Sequence, residues 1–336
     1  MRTQWMIAAV LIGEILSADR AIAQPAESPD ESIRAAVKKG VALLEKTGAE
    51  YLVQRKCFSC HHQAMPVLAL TAAKARGFAI DDKALQRQVQ FTADFLAKNR
   101  ENYSKGKGQG GQTDTAGYAL LTLDEGGWKA DTTTAAVVEY LLLRDKDRDH
   151  WRPVSQRPPS EASAFTTTYL AVRGIKKYGN AEQEKAIDAR FEKTRQWLEA
   201  SPAKDTEDRV FRLLALKQLG AKVENAVKEL VKAQRPDGGW SQTDKLDSDA
   251  YATGSALVAL HQAGGLPTKD DVYARGVLFL VKTQQADGSW YLRSRSKPFQ
   301  TYFESGFPHG KDQFIACAAS SWATIALTLA CEPSKR

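Results

Sequence analysis

The densest chemistry in the sequence lies at residues 57–62, Cys-Phe-Ser-Cys-His-His, where two thiols and two imidazoles are crowded together. Two cysteines three residues apart and followed directly by histidine are the pattern of c-type haem attachment. In that chemistry the thiols of Cys57 and Cys60 bond covalently to the porphyrin, and His61 coordinates the iron. The motif therefore predicts haem c, with Cys57, Cys60 and His61 as cofactor-binding residues and His61 as a metal ligand.

The same side chains suit two other sites. Thiols and imidazoles are the usual ligands of structural Zn²⁺, so zinc is an alternative cofactor. A pair of cysteines at this spacing also occurs as a small disulfide or a purely structural pair, with no cofactor at all.

The amino terminus predicts export. Arg2 precedes an apolar run over residues 5–16, and Ala21-Ile22-Ala23 has the small-x-small form of a cleavage site. We therefore expect a signal peptide over residues 1–23 and a single mature domain over 24–336. The run is too short to cross a bilayer and no later stretch is apolar for long enough, so a periplasmic or extracellular protein without a transmembrane segment is expected. Haem attachment of this type and stable disulfides both belong outside the cytoplasm.

Composition and charge exclude some classes of protein. The chain has 47 Lys+Arg against 40 Asp+Glu, a formal net charge of +7, and these charges are interspersed along its length. Such a pattern is typical of a solvated surface, so we expect no nucleic-acid partner. A mildly basic face could dock an acidic redox protein.

The rest of the chain is organised as helical hairpins. Glycines well placed to stop helices recur at intervals typical of two-helix repeats, at Gly77, Gly126, Gly179, Gly220 and Gly264. The predicted pairs of first and second helices are 31–51 with 64–76, 83–101 with 113–124, 132–143 with 162–177, 182–199 with 207–219, 223–232 with 250–263, and 271–282 with 313–330. The first helix of each pair has one apolar stripe and the second is apolar or small on nearly all sides, so the second helices should be enclosed. Six such hairpins predict an all-α fold, a ring with inner and outer helices.

Two segments carry a family resemblance. Residues 234–240, Gln-Arg-Pro-Asp-Gly-Gly-Trp, and 284–290, Gln-Gln-Ala-Asp-Gly-Ser-Trp, resemble the Q-x-x-x-G-x-W repeats of the terpenoid cyclase and protein prenyltransferase family. That resemblance implies an α/α-toroid, as the hairpins do, and an apolar, isoprenoid-like small-molecule ligand.

The resemblance also implies one candidate catalytic residue. Class II cyclases of this family protonate their substrate with the middle acid of a D-x-D-D motif, and the nearest match here is Asp247-Ser248-Asp249-Ala250. Asp249 would then be the proton donor. The alternative is that Asp249 caps the following helix, because an aspartate just before a helix usually accepts bonds from its free N–H groups.

The toroid predicts where the motif lies. All inner helices run parallel, so the loops that enter them lie on one rim, with the haem motif in the first of these loops. Closure of the ring would bring the sixth hairpin, with His309, beside the first. We therefore expect His309 as the second metal ligand, with an open or water-bound iron as the alternative.

Together these observations predict an exported toroid that binds one haem c and serves electron transfer or haem-based redox chemistry. One alternative is a squalene- or terpene-cyclase-like enzyme acting on isoprenoids. A second is a non-catalytic binding scaffold in which the cysteine pair is structural.

Overall fold

The computed structural model describes residues 29–298 and 301–333, so the predicted signal peptide lies outside the described residues. In chain order the helices are α1 (Pro29–Gln54), α2 (Met65–Ala75), α3 (Asp82–Ala97), α4 (Arg100–Ser104), α5 (Gln112–Glu125), α6 (Thr132–Leu143), α7 (Ala164–Tyr178), α8 (Glu184–Ala200), α9 (Thr206–Gln218), α10 (Glu224–Lys232), α11 (Ala250–Gln262), α12 (Asp271–Thr283) and α13 (Gln313–Ala330). Two short strands, β1 (Trp240–Ser241) and β2 (Ser248–Asp249), pair antiparallel between α10 and α11.

The helices form the predicted α/α-toroid. Helices α2, α5, α7, α9, α11 and α13 pack side by side in that order, and α13 closes the ring against α2. Helices α1, α3, α6, α8, α10 and α12 lie outside them. The inner helices approach closely where residues are small: a Cβ on Gly254 would lie 2.6 Å from the carbonyl carbon of Trp322. The expected fold class is confirmed.

Burial follows the sequence pattern that predicted the two rings. On α10 only Ala226 and Leu230 are buried, whereas α13 is buried over almost its whole length. Within residues 29–298 and 301–333, one helical segment, Gly310–Ala330, is long and apolar enough to cross a membrane, and 83% of its most apolar window is buried inside the protein. Its apolar character is therefore accounted for by its place in the inner ring.

Three tryptophans hold outer helices to inner ones. Trp151, Trp240 and Trp290 are fully buried, and each indole Nε1 donates to the carbonyl of a leucine ten residues earlier, at 2.8 to 2.9 Å. Each tryptophan backbone N–H also donates to an inner-helix hydroxyl, namely that of Thr168, Thr253 or Ser320. Trp151 is thus the equivalent, in the third hairpin, of the two tryptophans in the repeats recognised from sequence.

The glutamines of the two repeats join neighbouring hairpins. Gln234 Nε2 donates to the carbonyl of Val272, at 2.8 Å, and Gln284 Nε2 donates to the carbonyl of Ala36, at 2.9 Å. Since Ala36 lies on α1 and Gln284 follows α12, the second bond ties the last hairpin to the first and closes the outer ring.

The inner helix of the first hairpin starts earlier than expected. A π-helical turn over Cys60–Ala64 runs directly into α2, and the Ser59 side chain accepts a hydrogen bond from the backbone N–H of His62 at 3.2 Å. His61 and His62 are consequently buried in the first turn of an inner helix. The predicted position of both histidines in the rim loop is wrong.

Candidate functional site

Each inner helix presents one row of side chains to the centre of the ring. On α9 this row is Glu207, Phe211 and Leu214, which share one face because they are spaced four and three residues apart. Phe211 and Leu214 line a central cavity. Glu207 lies one turn nearer the amino-terminal end of the same row.

The central cavity is lined mainly by apolar and aromatic side chains, with Glu125, Arg173 and Gln262 also in its wall. Its wall includes Tyr118, Tyr169, Phe211 and Trp322, one from each of four inner helices, together with Met65. Its volume is about 50 Å³, or about 540 Å³ when space open to solvent is included. The ring interior is therefore nearly filled by its own side chains.

Glu207 is a buried acid at the amino-terminal end of this cavity. Its Oε1 accepts a hydrogen bond from Thr166 Oγ1 at 2.8 Å and another from the hydroxyl of Tyr251 at 3.3 Å. Its Oε2 is buried and has no hydrogen-bond partner among the described residues. Burial raises the pKa of Glu207 well above its usual range. The hydrogen bond from the Thr166 hydroxyl lowers this pKa, and the nearby charge of Asp205 raises it further. The raised pKa favours the protonated carboxylic acid, and the two bonds accepted by Oε1 leave Oε2 to carry the proton.

Asp249 caps a helix. Its Oδ1 accepts from the backbone N–H of Ala252 at 2.9 Å, and its Oδ2 accepts from Gln242 Nε2 at 3.0 Å. Both oxygens are therefore engaged, in contrast to those of Glu207. Burial raises the pKa of Asp249 to about 6 in spite of the cap.

We expect Asp249→Asn to cost a few tenths to about 1 kcal/mol of unfolding free energy, because asparagine caps nearly as well. The raised pKa means that the wild type loses stability as pH rises from about 4 to about 6, whereas asparagine does not titrate. The cost should therefore be largest below pH ~4 and shrink above pH ~6, which urea denaturation at both ends of this range measures. A cost that grows with pH would contradict the assignment.

Cys60, His61 and Glu161 form a second cluster at the same end of the ring. Cys60 Sγ lies 3.0 Å from His61 Nδ1 and 2.5 Å from Glu161 Oε1, and His61 Nδ1 lies 3.8 Å from that oxygen. His61 Nε2 is hydrogen-bonded to Ser160 Oγ at 2.8 Å. Ser160 and Glu161 come from the loop before α7, so this loop of the third hairpin reaches across to the first.

These residues do not fit a haem. Cys57 Sγ is exposed and lies 3.7 Å from the hydroxyl of Tyr51, whereas Cys60 Sγ points to Glu161 in another hairpin. Both ring nitrogens of His61 face protein groups, and its side chain is buried in the first turn of an inner helix. A porphyrin bonded to both thiols and to His61 would have to displace the loop that holds Glu161.

His309 is not part of this cluster. Its Nε2 is hydrogen-bonded to Ser289 Oγ at 2.8 Å, and its ring lies against Tyr291 and Phe307. Ser305 of the sixth hairpin does reach the first, and its hydroxyl lies 2.7 Å from His62 Nε2. The structure therefore does not place His309 opposite His61.

Sequence comparison relates the carboxy-terminal part of the chain to cyclases. Residues 191–336 match the family model of the squalene-hopene cyclase C-terminal domain. Lanosterol synthase ERG7 of Saccharomyces cerevisiae is 29% identical over 118 residues, which are 35% of this chain and 15% of that enzyme. The chain thus matches only a small part of the length of this relative.

Solved structures of similar fold extend the comparison to most of the chain. A type II terpene cyclase from Scytonema, MstE, solved as a variant in complex with the substrate geranylgeranyl dihydroxybenzoate, superimposes with a TM-score of 0.57 at 15% identity. The match covers 90% of this chain and 98% of that one. An ent-copalyl diphosphate synthase from Streptomyces platensis gives a TM-score of 0.51 at 14% identity, over 80% of this chain and 50% of that one.

The fold is thus the α/α-toroid found in type II terpene cyclases. The carboxy-terminal part also resembles the squalene-hopene cyclase C-terminal domain in sequence. Together with the poor fit of a haem, these findings overturn the prediction of a haem c electron-transfer protein, and with it the expected redox partner. They favour the cyclase-like alternative.

Sequence reasoning missed Glu207, Tyr251 and Glu161. For Glu207 a signal was present, since an acid is followed at four and seven residues by the apolar Phe211 and Leu214 in a helix predicted to be enclosed. Glu161 precedes its helix in a loop, and its neighbours in sequence give no indication that it contacts Cys60.

Proposed function

We propose that this protein is an enzyme that cyclises an isoprenoid by protonating a carbon–carbon double bond, with Glu207 as the acid. The observation that carries this proposal is a buried carboxyl group of raised pKa, one helical turn from an aromatic-lined cavity, with one oxygen that has no hydrogen-bond partner among the described residues. Buried acids of raised pKa are the groups that enzymes use as proton donors near neutral pH.

The reaction requires only a proton to move. The proton leaves Glu207 Oε2 and bonds to one carbon of the double bond, whose electron pair forms the new C–H bond and leaves a carbocation on the other carbon. A second double bond of the same chain donates its electron pair to that cation and closes a ring. A proton lost from a neighbouring carbon ends the sequence and restores the acid, so that the product is an isomer of the substrate and no electrons are exchanged with another molecule.

The cavity wall suits such a cation. Tyr118, Tyr169, Phe211 and Trp322 offer π-systems, whose faces attract positive charge by about 0.5–2 kcal/mol each. Tyr251 and Thr166 hold Glu207 in place and stabilise the carboxylate that remains after proton transfer.

The size of the cavity constrains how a substrate binds. A cavity volume of about 50 Å³ is far less than an isoprenoid chain needs. Binding must therefore move the aromatic side chains that fill the ring interior. MstE, a protein of the same fold, binds a geranylgeranyl chain attached to an aromatic acid, and this supports an acyclic polyprene or a prenylated aromatic compound as the substrate class. If the chain is exported, as its amino terminus predicts, the substrate has to be available outside the cytoplasm.

Turnover of defined polyprenes tests the proposal. The purified protein is incubated with squalene, geranylgeraniol and a geranylgeranylated benzoate, and products are separated by gas chromatography and mass spectrometry. We expect a cyclic product with the mass of its substrate from at least one of them. Binding of these compounds without any conversion would contradict the enzyme and favour a binding scaffold.

A further inference from the structure

We infer that Cys60, His61 and Glu161 form a binding site for a divalent metal ion of the zinc type. The three ligand atoms, Cys60 Sγ, His61 Nδ1 and Glu161 Oε1, all lie within 4.8 Å of one another. Two of these side chains come from the first hairpin and one from the third, so the site does not follow from the cysteine-histidine motif alone.

The three ligand atoms lie close enough together to share one metal ion. The three distances between the ligand atoms are 3.0, 2.5 and 3.8 Å, so a point just outside their plane lies about 2.2 Å from each atom. This is within the usual range of roughly 2.0–2.3 Å for bonds from Zn²⁺ to sulfur, nitrogen and oxygen. Small rotations of the side chains would open the angles between the ligands, and a water molecule would complete a tetrahedral shell.

The surroundings orient the ligands as metal sites require. His61 uses its other ring nitrogen, Nε2, to bond Ser160 Oγ at 2.8 Å, which fixes the plane of the ring. Arg157 forms an ion pair with Glu161 Oε2 and so leaves Oε1 for a cation. All these groups are on the described part of the chain and none belongs to the Glu207 site.

The charges of the site balance with a divalent ion present. A thiolate at Cys60 and the carboxylate of Glu161 would neutralise the ion; of the two other charges that act on Cys60, Arg157, which pairs with Glu161, is positive and Asp114 is negative. A sulfur ligand together with nitrogen and oxygen favours zinc and disfavours calcium or magnesium.

The bound ion would join two parts of the ring. The loop before α7 crosses the amino-terminal end of α5, where the hydroxyl of Tyr118 donates to the carbonyl of Ser160 at 3.2 Å. Tyr118 also lines the central cavity. A metal at Glu161 would therefore fix the loop that closes this end of the ring, a structural role that does not depend on the proposed reaction.

Metal binding by the full chain tests the inference. The reduced protein is stripped with a chelator and titrated with Co²⁺, whose absorption reports thiolate coordination, and then with Zn²⁺. We expect one ion per chain, a thiolate-to-cobalt band, and a rise in thermal unfolding temperature on binding.

In Cys60→Ala the band should be lost, and affinity for Zn²⁺ should fall by more than the roughly 10–100-fold that loss of an outer-shell partner costs. Glu161→Gln should weaken binding while it keeps the band.

Cys331→Ala is the control, since Cys331 is a second free cysteine, buried on a different part of the ring, whose thiol donates to the carbonyl of Leu327 at 3.5 Å. It should bind metal like the wild type. Circular dichroism of each variant shows whether it has folded, and the cobalt spectrum of the wild type stands without any variant. The absence of a thiolate band in the reduced wild type would overturn the inference, as would equal zinc affinity in Cys60→Ala. Retention of a Cys57–Cys60 disulfide with no metal binding after its reduction would also overturn it.

Discussion

Glu207→Gln abolishes cyclisation while the protein remains folded. General acids contribute about 100- to 10,000-fold to the rate, and glutamine has no acidic proton to give. The fold should tolerate the change because the amide oxygen can still accept from Thr166 and Tyr251, as Glu207 Oε1 does. Unfolding free energy should change by no more than about 1 kcal/mol.

Two control variants show whether the loss of cyclisation is specific to Glu207. Asp249→Asn changes the acid that the sequence motif suggested, and Glu192→Gln changes an exposed acid on the outer helix α8. Both should retain the turnover of the wild type under the same conditions. Loss of turnover in Asp249→Asn, with Glu207→Gln active, would return the role of proton donor to Asp249.

The pH dependence of activity and of stability provides a second test of the role of Glu207. The groups that act on the pKa of Glu207 are the hydroxyls of Thr166 and Tyr251 and the carboxyls of Asp205 and Asp208. Burial has the largest effect and raises this pKa. Activity should therefore persist to a higher pH than an ordinary glutamate would allow, and fall as pH rises through the raised pKa of Glu207. Stability has the matching sign: the folded state keeps this proton after the unfolded state has lost it near pH ~4.3, so unfolding free energy declines as pH rises toward the folded pKa. Glu207→Gln should lack that decline.

Trp151→Ala destabilises the toroid by about 3–5 kcal/mol, as much as Trp240→Ala. Trp151 is fully buried, its Nε1 donates to the carbonyl of Leu141 at 2.8 Å, and the guanidinium of Arg190 lies 4.1 Å from its ring centre. Truncation therefore removes a large apolar side chain, a buried hydrogen bond and a cation–π contact. Urea denaturation followed by circular dichroism measures the loss.

Trp128→Ala is the comparison for this effect. Trp128 is only partly buried, and its Nε1 donates to Asp131 Oδ2 at 2.9 Å on an exposed face. It should cost about 1 kcal/mol. If Trp151→Ala cost no more than Trp128→Ala, the third hairpin would not contain an equivalent of the two tryptophan repeats.

The sequence predicted the toroid because helical periodicity and burial are local properties. Apolar stripes on the first helices and all-round apolar second helices are enough to assign six hairpins to two rings. The repeat in the third hairpin escaped notice because Trp151 has no glutamine and glycine at the usual spacing before it. In place of those residues, Arg190 from the next outer helix packs its guanidinium over the ring of Trp151.

The candidate sites were less predictable because they depend on contacts between distant residues. The start of the first inner helix was signalled by Ser59, a good N-cap residue, but the cysteine-histidine motif suggested a cofactor loop at the same place. The environment of His61 depends on Ser160 and Glu161, about a hundred residues away in sequence, and that of Glu207 on Tyr251 from another hairpin. Such pairings arise only from the closure of the ring.

The most direct test of proton-initiated cyclisation is the mass of the product formed in D₂O. Glu207 exchanges its proton with the solvent between turnovers, so each product molecule should carry one deuterium, bound to the carbon that was protonated. Wild-type protein in D₂O should give a cyclic isomer that is heavier by one mass unit, and in H₂O one of unchanged mass. A cyclic product without deuterium would show that ring closure starts without protonation and would contradict the role of Glu207.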